Sequence, residues 1–573
     1  MIDPILPLRS VSVRPWGRVV RYIALLVATS VLGVTGLGAG VAPASAQSPT
    51  VGDATHLLSC PMPQSLSDAR GDIDTIRDCL RRAATATFAG PQSGPVAGFA
   101  PTSPRPTGPV PTPPAGAADD CRSVNAVLVY QRPGSSAVCE TTPPTAGTRP
   151  NIATARNGGT AYAGEGSGNT ASANGAGSFA LAAGYEYSAP TYSPGSLGSA
   201  SVGTDSTATA NGVGSLALAG GKHNTATANG VGSEALAGNS IVGAPSHSPG
   251  SLAPASGGAH NTATVNGTGS FAQAGGGDYN TATVKGRDSA AIAGLGNHNT
   301  ARITGRESLA GAAVGDGNTA TANGSESVAE AILGNQNQAT ADGSNSTGVA
   351  MIGNRNQAIA GPSSVAGAFG GTGNRAQSEK GGFAVAGPYP DYLEDGIELD
   401  GTGNWNAAYA SGPAATAIAG GGDHNKATAH GTASVAMAGN GDANTATVTG
   451  TYHELSAPVA PSVGISTPDP TSGQAHARYG NGNTATASAL GIAYAGNGAD
   501  NTASAQHEGS TAFAGTSSDT WNGAGNDNTA TAKNGGTATA TNGDHNRAAA
   551  RQRCTYTLDG VDGQTGFCVV SPA

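Results

Sequence analysis

Asn261-Thr262-Ala263-Thr264-Val265-Asn266-Gly267 returns as Asn280-Thr281-Ala282-Thr283-Val284-Lys285-Gly286, and again as Asn318-Thr319-Ala320-Thr321-Ala322-Asn323-Gly324. The leading asparagine recurs at Asn261, Asn280, Asn299, Asn318, Asn337 and Asn356 in steps of 19, then at Asn374 after 18. A second phrase follows the first, as in Ser270-Phe271-Ala272-Gln273-Ala274-Gly275 and Ser289-Ala290-Ala291-Ile292-Ala293-Gly294. Alternation over about five residues is a strand signal, and a fixed period near 20 marks a repeat architecture. Each unit therefore reads as one coil of an all-β parallel β-solenoid, with two short strands joined by Gly/Asn turns.

Outward from this stretch the anchor position falls at Asn151, Asn169, Tyr187, Ser206, Asn224 and Val242. Tyr187 and Val242 read as openings of degenerate coils, because Ser193-Pro194-Gly195-Ser196-Leu197 recurs as Ser248-Pro249-Gly250-Ser251-Leu252. After Asn374 an insertion from Glu379 to Asp400 is expected. The pattern resumes at Asn406, Asn425 and Asn444, blurs around 451–478, and returns at Asn483, Asn501, Asn528 and Asn546. The expectation is about 21 coils of 18–19 residues over 151–550.

The chain has 573 residues, 89 Gly, 8 Phe, 3 Trp and 11% charged residues. Such a composition alone would fit disorder. The sustained register argues for order, and a thin solenoid interior needs only Ala, Ser and Thr. The net charge of −10 disfavours nucleic acid, whose binding needs basic patches.

The flanks divide as follows. Residues 1–46 read as a secretory signal peptide: Arg9, Arg14, Arg18 and Arg21, an apolar run from Tyr22 to Val41, then Ala44-Ser45-Ala46. No transmembrane domain is expected in the mature chain, which places it as secreted or at the cell surface. Residues 47–88 predict a short amphipathic helix over Leu66, Ile73, Ile76 and Leu80. Residues 89–118 are a Pro/Gly-rich linker. Residues 119–150, with the apolar strand Val124 to Tyr130, suit an N-terminal cap on the first coil. Residues 551–573 predict a disulfide-closed C-terminal hairpin. Six cysteines in an exported chain imply disulfides, and sequential pairing is expected: Cys60 with Cys79, Cys121 with Cys139, Cys554 with Cys568.

Within the first strand the period of two puts Ala and Thr on opposite faces. Ala barely varies, so Ala is placed inward and Thr outward, with the anchor Asn inward as a stacked amide ladder. In the second strand Ala217 and Ala219 alternate with Leu216 and Leu218. The larger positions also include Phe179/Leu181, Glu234/Leu236, Val328/Glu330, Val435/Met437 and Ile492/Tyr494. Glu at two of these makes an inward assignment costly, so this face is expected outward and mostly apolar, a surface for self-association or cover. The inverse packing, large residues inside and Ala outside, is the alternative.

The phrase Gly212-Val213-Gly214-Ser215-Leu216-Ala217-Leu218-Ala219-Gly220 resembles the head repeats of YadA-like trimeric autotransporter adhesins. That resemblance covers only the repeat region. It implies a left-handed parallel β-roll, trimerisation and binding to host matrix. The coil here is longer, and neither a heptad stalk nor a membrane-barrel segment is read in the sequence.

The Thr-x-Thr pairs are the candidate binding face: Thr225 with Thr227, Thr262 with Thr264, Thr281 with Thr283, and Thr319 with Thr321. As two parallel files they resemble the ice-binding faces of β-solenoid antifreeze proteins. Arg302, Gln338, Gln357 and Lys426 interrupt the files, and Thr also simply suits exposed strand positions. Asp278, Asp316, Asp423, Asp442, Asp500, Asp527 and Asp544 precede anchor residues. They read as irregular in register, and so as solvated turn residues rather than the calcium ligands of a β-roll. The acidic stretch Asp391 to Asp400 offers paired carboxylates of the kind glycosidases use, but it reads first as a solvated acidic loop. No nucleophile elbow, phosphate loop or zinc motif is present. The function expected is structural or adhesive, non-catalytic and without cofactor. The ligand would be extracellular matrix, envelope or glycan. Ice binding is the alternative and a polysaccharide-acting β-helix enzyme the third.

Overall fold

A computed structural model describes residues 119–144, 149–164, 166–183, 203–238, 258–387, 403–450, 473–515 and 525–570, together with Thr112 and Pro114 upstream. The signal peptide, the 47–88 helix with its Cys60–Cys79 bridge, and the Asp391 to Asp400 cluster lie outside them. The described residues are all β, with no helix.

The architecture is the parallel β-solenoid. Each coil gives one strand to sheet A and one to sheet B, and every strand pairs in parallel, residue for residue, with its counterpart one coil on. Thr262–Val265 stacks on Thr281–Val284, and Phe271–Gly275 on Ala290–Gly294. About 18 such coils are stacked among the described residues. The alternating Ala positions of both sheets are buried, mostly at 0% exposure, and form one continuous core with Val265, Val284, Ile303 and Val448. The inward assignment of Ala is therefore right for both strands, and the inverse packing is excluded.

Methyl groups bury little area, so each coil gains little from the hydrophobic effect. Buried hydrogen bonds fix the register instead. Each anchor Asn is buried. Its Oδ1 accepts the backbone N–H of the next anchor, as Asn261 does from Asn280 and Asn280 from Asn299. Its Nδ2 in most coils donates to a glycine carbonyl of the next coil, as Asn280 does to Gly296 at 2.8 Å, whereas the buried Asn425 Nδ2 has no partner. The ladder is thus side chain to backbone rather than the amide-to-amide stack expected. At the opposite corner the buried Ser270, Ser289 and Ser308 hydroxyls donate to the Gly286, Gly305 and Gly324 carbonyls in the same manner.

Two expected coils are not in the stack. The strand Thr170–Asn174 pairs directly with Thr207–Asn211, and Thr225–Asn229 directly with Thr262–Val265. Ser206 and Asn261 each donate their N–H to the anchor 37 residues before. Among the described residues no coil stands between these strands; Tyr187 and Val242, expected to open degenerate coils, lie outside them. The insertion after Asn374 also starts later than expected: Arg375–Glu379 and Phe383–Ala386 are regular strands. The blurred region contributes Gln474–Arg478 to sheet B.

At the N-terminal end β1 (Cys121–Val124) lies antiparallel on β4 (Ile152–Arg156), and β2 (Val127–Gln131) antiparallel on β1. β3 (Val138–Thr141) opens sheet B on β5 (Thr160–Ala163). The single strand expected from Val124 to Tyr130 is broken at Asn125 and Ala126, both at positive φ. That turn supplies the first rung, since Asn125 Oδ1 accepts the Asn151 N–H. Cys121–Cys139 is formed.

Cys554–Cys568 is formed too, but its strands are not a hairpin. Thr555–Asp559 continues sheet B and Thr565–Val569 continues sheet A, both in parallel. In this last turn Tyr556 and Leu558 stand where other coils carry Ala, and they pack against the open end of the core.

Candidate binding surface

The register sets the chemistry of each face. On sheet A the outward positions form two columns. Thr207/Thr209, Thr225/Thr227, Thr262/Thr264 and Thr281/Thr283 occupy four consecutive coils. Thr300/Arg302 follows, then Thr319/Thr321.

The eight candidate threonines, Thr225, Thr227, Thr262, Thr264, Thr281, Thr283, Thr319 and Thr321, all lie in these columns. They are half-buried rather than fully exposed, because each side chain packs between its counterparts one coil before and one coil after. Thr227 is the clearest correction to the sequence expectation. A degenerate coil was expected between Thr227 and Thr264, but the two pair directly, and Thr227 stands between Thr209 and Thr264 in its column.

A second uniform patch runs Thr445/Thr447, Thr484/Thr486, Thr502/Ser504, Thr529/Thr531. Between the patches the columns carry Gln338, Gln357 and Arg375 beside Thr340, Ile359 and Gln377, and Gln357 Nε2 donates to Gln338 Oε1 at 2.7 Å. Neighbouring threonines are spaced about 4.8 Å along the axis and roughly 6.6 Å along each strand.

On sheet B the outward columns are largely apolar. Leu216 stacks between Phe179 and Glu234, Leu218 between Leu181 and Leu236. Ile418, Met437, His476, Tyr494 and Phe513 continue the second column. His476 stacks on Tyr494 at 4.7 Å, and Tyr494 on Phe513 at 5.3 Å. Burial, with Arg478 nearby, pushes the His476 imidazole down to about 3, so it is neutral at physiological pH.

Facing outward does not keep the two glutamates wet. Glu330 stands between Gly311 and Val349 in its column. It is 1% exposed, and neither carboxyl oxygen has a hydrogen-bond partner. Ile332, Val349 and Met351 form an apolar cluster on the same face. Burial pushes the Glu330 carboxyl up to about 8 and that of Glu234 up to about 7.

The turns carry a feature that reading along the chain missed. Asp278, Asp316, Asp423, Asp442 and Asp544 share one column with Asn297, Asn335, Asn354, Asn404 and Asn526. Here the bond runs backwards: Asp278 donates its N–H to Asn297 Oδ1, and Asn297 donates to Asp316 Oδ1. Asp423 donates to Asp442 Oδ1 in the same way. These aspartates are in register after all, each with an oxygen that accepts from the turn before. Asp500 and Asp527 stand one place later, in the positive-φ position also held by His223, His260, Tyr279 and His298. Those four rings stack in order at 4.9, 4.6 and 5.0 Å. Among the described residues no group of three or more His, Cys, Asp or Glu is placed to hold a metal ion, and no helix is long and apolar enough to cross a membrane.

Basic residues converge as well. Lys285, Arg287 and Arg306 line one open groove together with Thr304, Ser325 and Ser344. No family model matches this chain, and neither a curated protein nor a solved structure matches it.

Proposed function

We propose that this protein is an exported, non-catalytic rod that adheres through many weak contacts along sheet A. The observation that carries this reading is the register. Equivalent outward side chains recur every coil, so any ligand group that fits one coil fits its neighbours. Repetition of weak contacts gains strength through effective concentration rather than through one tight site. About 18 coils at roughly 4.8 Å make a rod on the order of 90 Å long. The two disulfides at its ends suit an oxidising compartment, in keeping with the signal-peptide reading of residues 1–46. The apolar outer face of sheet B offers a surface for self-association, in keeping with the resemblance to trimeric adhesin heads.

Light scattering with small-angle X-ray scattering on the mature chain, followed by adhesion of chain-coated beads to matrix and glycan surfaces, tests the proposal. A rod whose beads adhere, and lose adhesion when Thr264 and Thr283 become Lys, supports it. A compact or disordered particle, or beads that bind nothing, overturns it.

One observation favours ice binding as the second reading. Because Thr225–Asn229 pairs directly with Thr262–Val265, four Thr-x-Thr coils are contiguous where the sequence reading separates them. Inhibition of ice recrystallisation that vanished in the same Thr→Lys variants would promote that reading.

A further inference from the structure

One corner of the solenoid, between sheet A and sheet B, is floored by glycines. Gly286, Gly305 and Gly324 stack one per coil. A Cβ on Gly286 would meet the Gly305 carbonyl oxygen at 1.3 Å, and one on Gly305 the Gly324 oxygen at 1.3 Å. Only glycine fits there, so the corner is a groove with backbone at its base, running along the axis. Its floor is a requirement of coil stacking and says nothing of a ligand. Its walls differ from coil to coil, and they carry the information.

Over most of the groove the walls are neutral. The column that follows the floor glycine reads Val213, Val231, Thr268, Arg287, Arg306, Ser325 and Ser344 along the axis, and the column that precedes it holds Lys285, Thr304, Asn323 and then the acidic Asp342, which does not line the recess. Three cations thus converge on two adjacent coils, around a recess of about 480 Å³ that the Thr304, Ser325 and Ser344 residues complete. None of the three forms an ion pair among the described residues. Asp288, Glu307 and Glu326, one residue further along each turn, do not line the recess. This arrangement sits on a chain whose net charge is −10. Unpaired cations side by side repel one another, so folding alone gives no reason to gather them.

We infer that the groove at Lys285, Arg287 and Arg306 binds an extended polysaccharide bearing sulfate or carboxylate groups. Arg287 and Arg306 are one coil apart, about 4.8 Å, and a pyranose unit in an extended chain advances by a similar length. Successive acidic groups on such a chain can therefore meet successive arginines, each guanidinium presenting a planar fork to an oxyanion. The hydroxyls of Thr304, Ser325 and Ser344 suit sugar hydroxyls. No aromatic ring lines the recess, so it has no platform on which a nucleic-acid base would stack. The inference names a site at the corner edge of sheet A, beyond the two Thr columns, and stands whether or not those columns adhere.

The experiment uses the full mature chain with immobilised dextran sulfate, alginate and neutral dextran, compared with the triple variant Lys285→Thr, Arg287→Ser, Arg306→Ser. Each replacement is a residue that a coil no more than two away already carries in the same column, Thr304 or Ser325, and circular dichroism checks the fold. Lys222→Asn, in the turn column of Asp278 and Asn297, is the control for general charge. Salt-sensitive retention on dextran sulfate or alginate is expected, with no retention on dextran. The triple variant should lose tenfold or more in affinity while Lys222→Asn stays within twofold. Retention on dextran sulfate alone assigns sulfated chains, and on alginate alone carboxylated ones. The inference is overturned by absence of retention on both, by an unchanged triple variant, by inorganic sulfate competing as well as the polymer, or by tighter binding of single-stranded DNA.

Discussion

The backbone N–H of Asn280 donates to the side-chain Oδ1 of Asn261, 2.8 Å away and one coil earlier. The same bond recurs from Asn125 in the N-terminal cap to Gln564 in the last turn. An exposed second series in the turns points the other way along the axis, as from Asp278 to Asn297. Each turn is therefore tied to the coil before it by one side chain and to the coil after it by another. Stacked Ala supplies cohesion without register, since a slip along the strand by two residues would bury Ala again. The anchor Asn forbids that slip, because a displaced amide would leave a buried donor and acceptor unpaired.

Removing one anchor should therefore cost more than its size implies. Asn299 accepts from the Asn318 N–H at 2.9 Å and donates to the Gly315 carbonyl at 2.8 Å. Asn299→Ala orphans both buried groups, for about 2–6 kcal/mol in total. Coils contact only their neighbours, so the damage stays local. Hydrogen exchange should accelerate in residues 281–323 and remain unchanged beyond residue 480. Uniform acceleration along the rod would contradict this.

The inner series has one missing rung. Ser206 stands where the other coils have Asn, and its hydroxyl donates to the Gly221 carbonyl at 2.7 Å. The shorter side chain does not reach the N–H of Asn224 in the next coil. Ser206→Asn restores that acceptor at a site whose neighbours already accommodate Asn. A gain of about 1 kcal/mol is expected, the net value of one buried hydrogen bond, read as a higher midpoint of chemical unfolding with an unchanged slope.

How much of this was legible in the sequence follows from what the repeat constrains. The Asn and Ala positions hold through most coils, with Ser206 for Asn and Val265, Val284, Ile303 or Val448 for Ala, because the interior is thin, so strand, face and register could all be read from spacing. The spacing from Asn169 to Ser206 and from Asn224 to Asn261 is 37 residues, the length of about two coils, so Tyr187 and Val242 read as coil openings and Thr227 as one coil further from Thr264. Length alone fits a coil, whereas the missing Asn at positions 187 and 242 is the physical signal against one. The Glu330 pair of unpartnered oxygens was invisible, since alternation reports the direction of a side chain and not what lies over it. The cationic groove was hidden for a different reason. Arg287 and Arg306 are 19 residues apart in the chain and become neighbours only through stacking.

Glu330 gives the solenoid a pH dependence of known sign. Burial raises its folded carboxyl from 4.5 to about 8, so between these values the folded chain holds a proton that the unfolded chain releases. Stability is then fully present below about pH 4.5 and falls as pH rises through 8. Glu234, raised to about 7, acts in the same direction. Glu330→Val places in this coil the residue that Val349 provides in the next one. It should stabilise the fold by on the order of 1–3 kcal/mol, because an unsatisfied buried polar group is removed. The gain should be larger at pH 8.5 than at pH 5, measured by urea unfolding at both. A gain independent of pH would show that the carboxyl titrates normally in the fold.

Among the described residues the coil of Thr555–Asp559 and Thr565–Val569 is paired on one side only, and this end should be where the rod frays. Tyr556 and Leu558 close the core, and a Cβ on Gly566 would meet the Tyr556 hydroxyl at 1.7 Å, so the ring passes over that glycine. Cys554–Cys568 closes a short loop around this plug, with a sequence separation of 14. A loop of that size is worth about 3 kcal/mol in the chain-entropy account. Cys554→Ser with Cys568→Ser should release residues 555–570 without unseating the coils before them. Proteolysis would then cut after Arg551 or Arg553 in the variant and leave the oxidised parent intact. Solenoid stability is a sum of coil and interface contributions, so the unfolding midpoint of the remaining coils should move little. If instead the whole array melted cooperatively at a lower midpoint, the C-terminal turn would be a nucleus for folding rather than a plug, and the ladder of Asn side chains would not suffice to hold the stack from within.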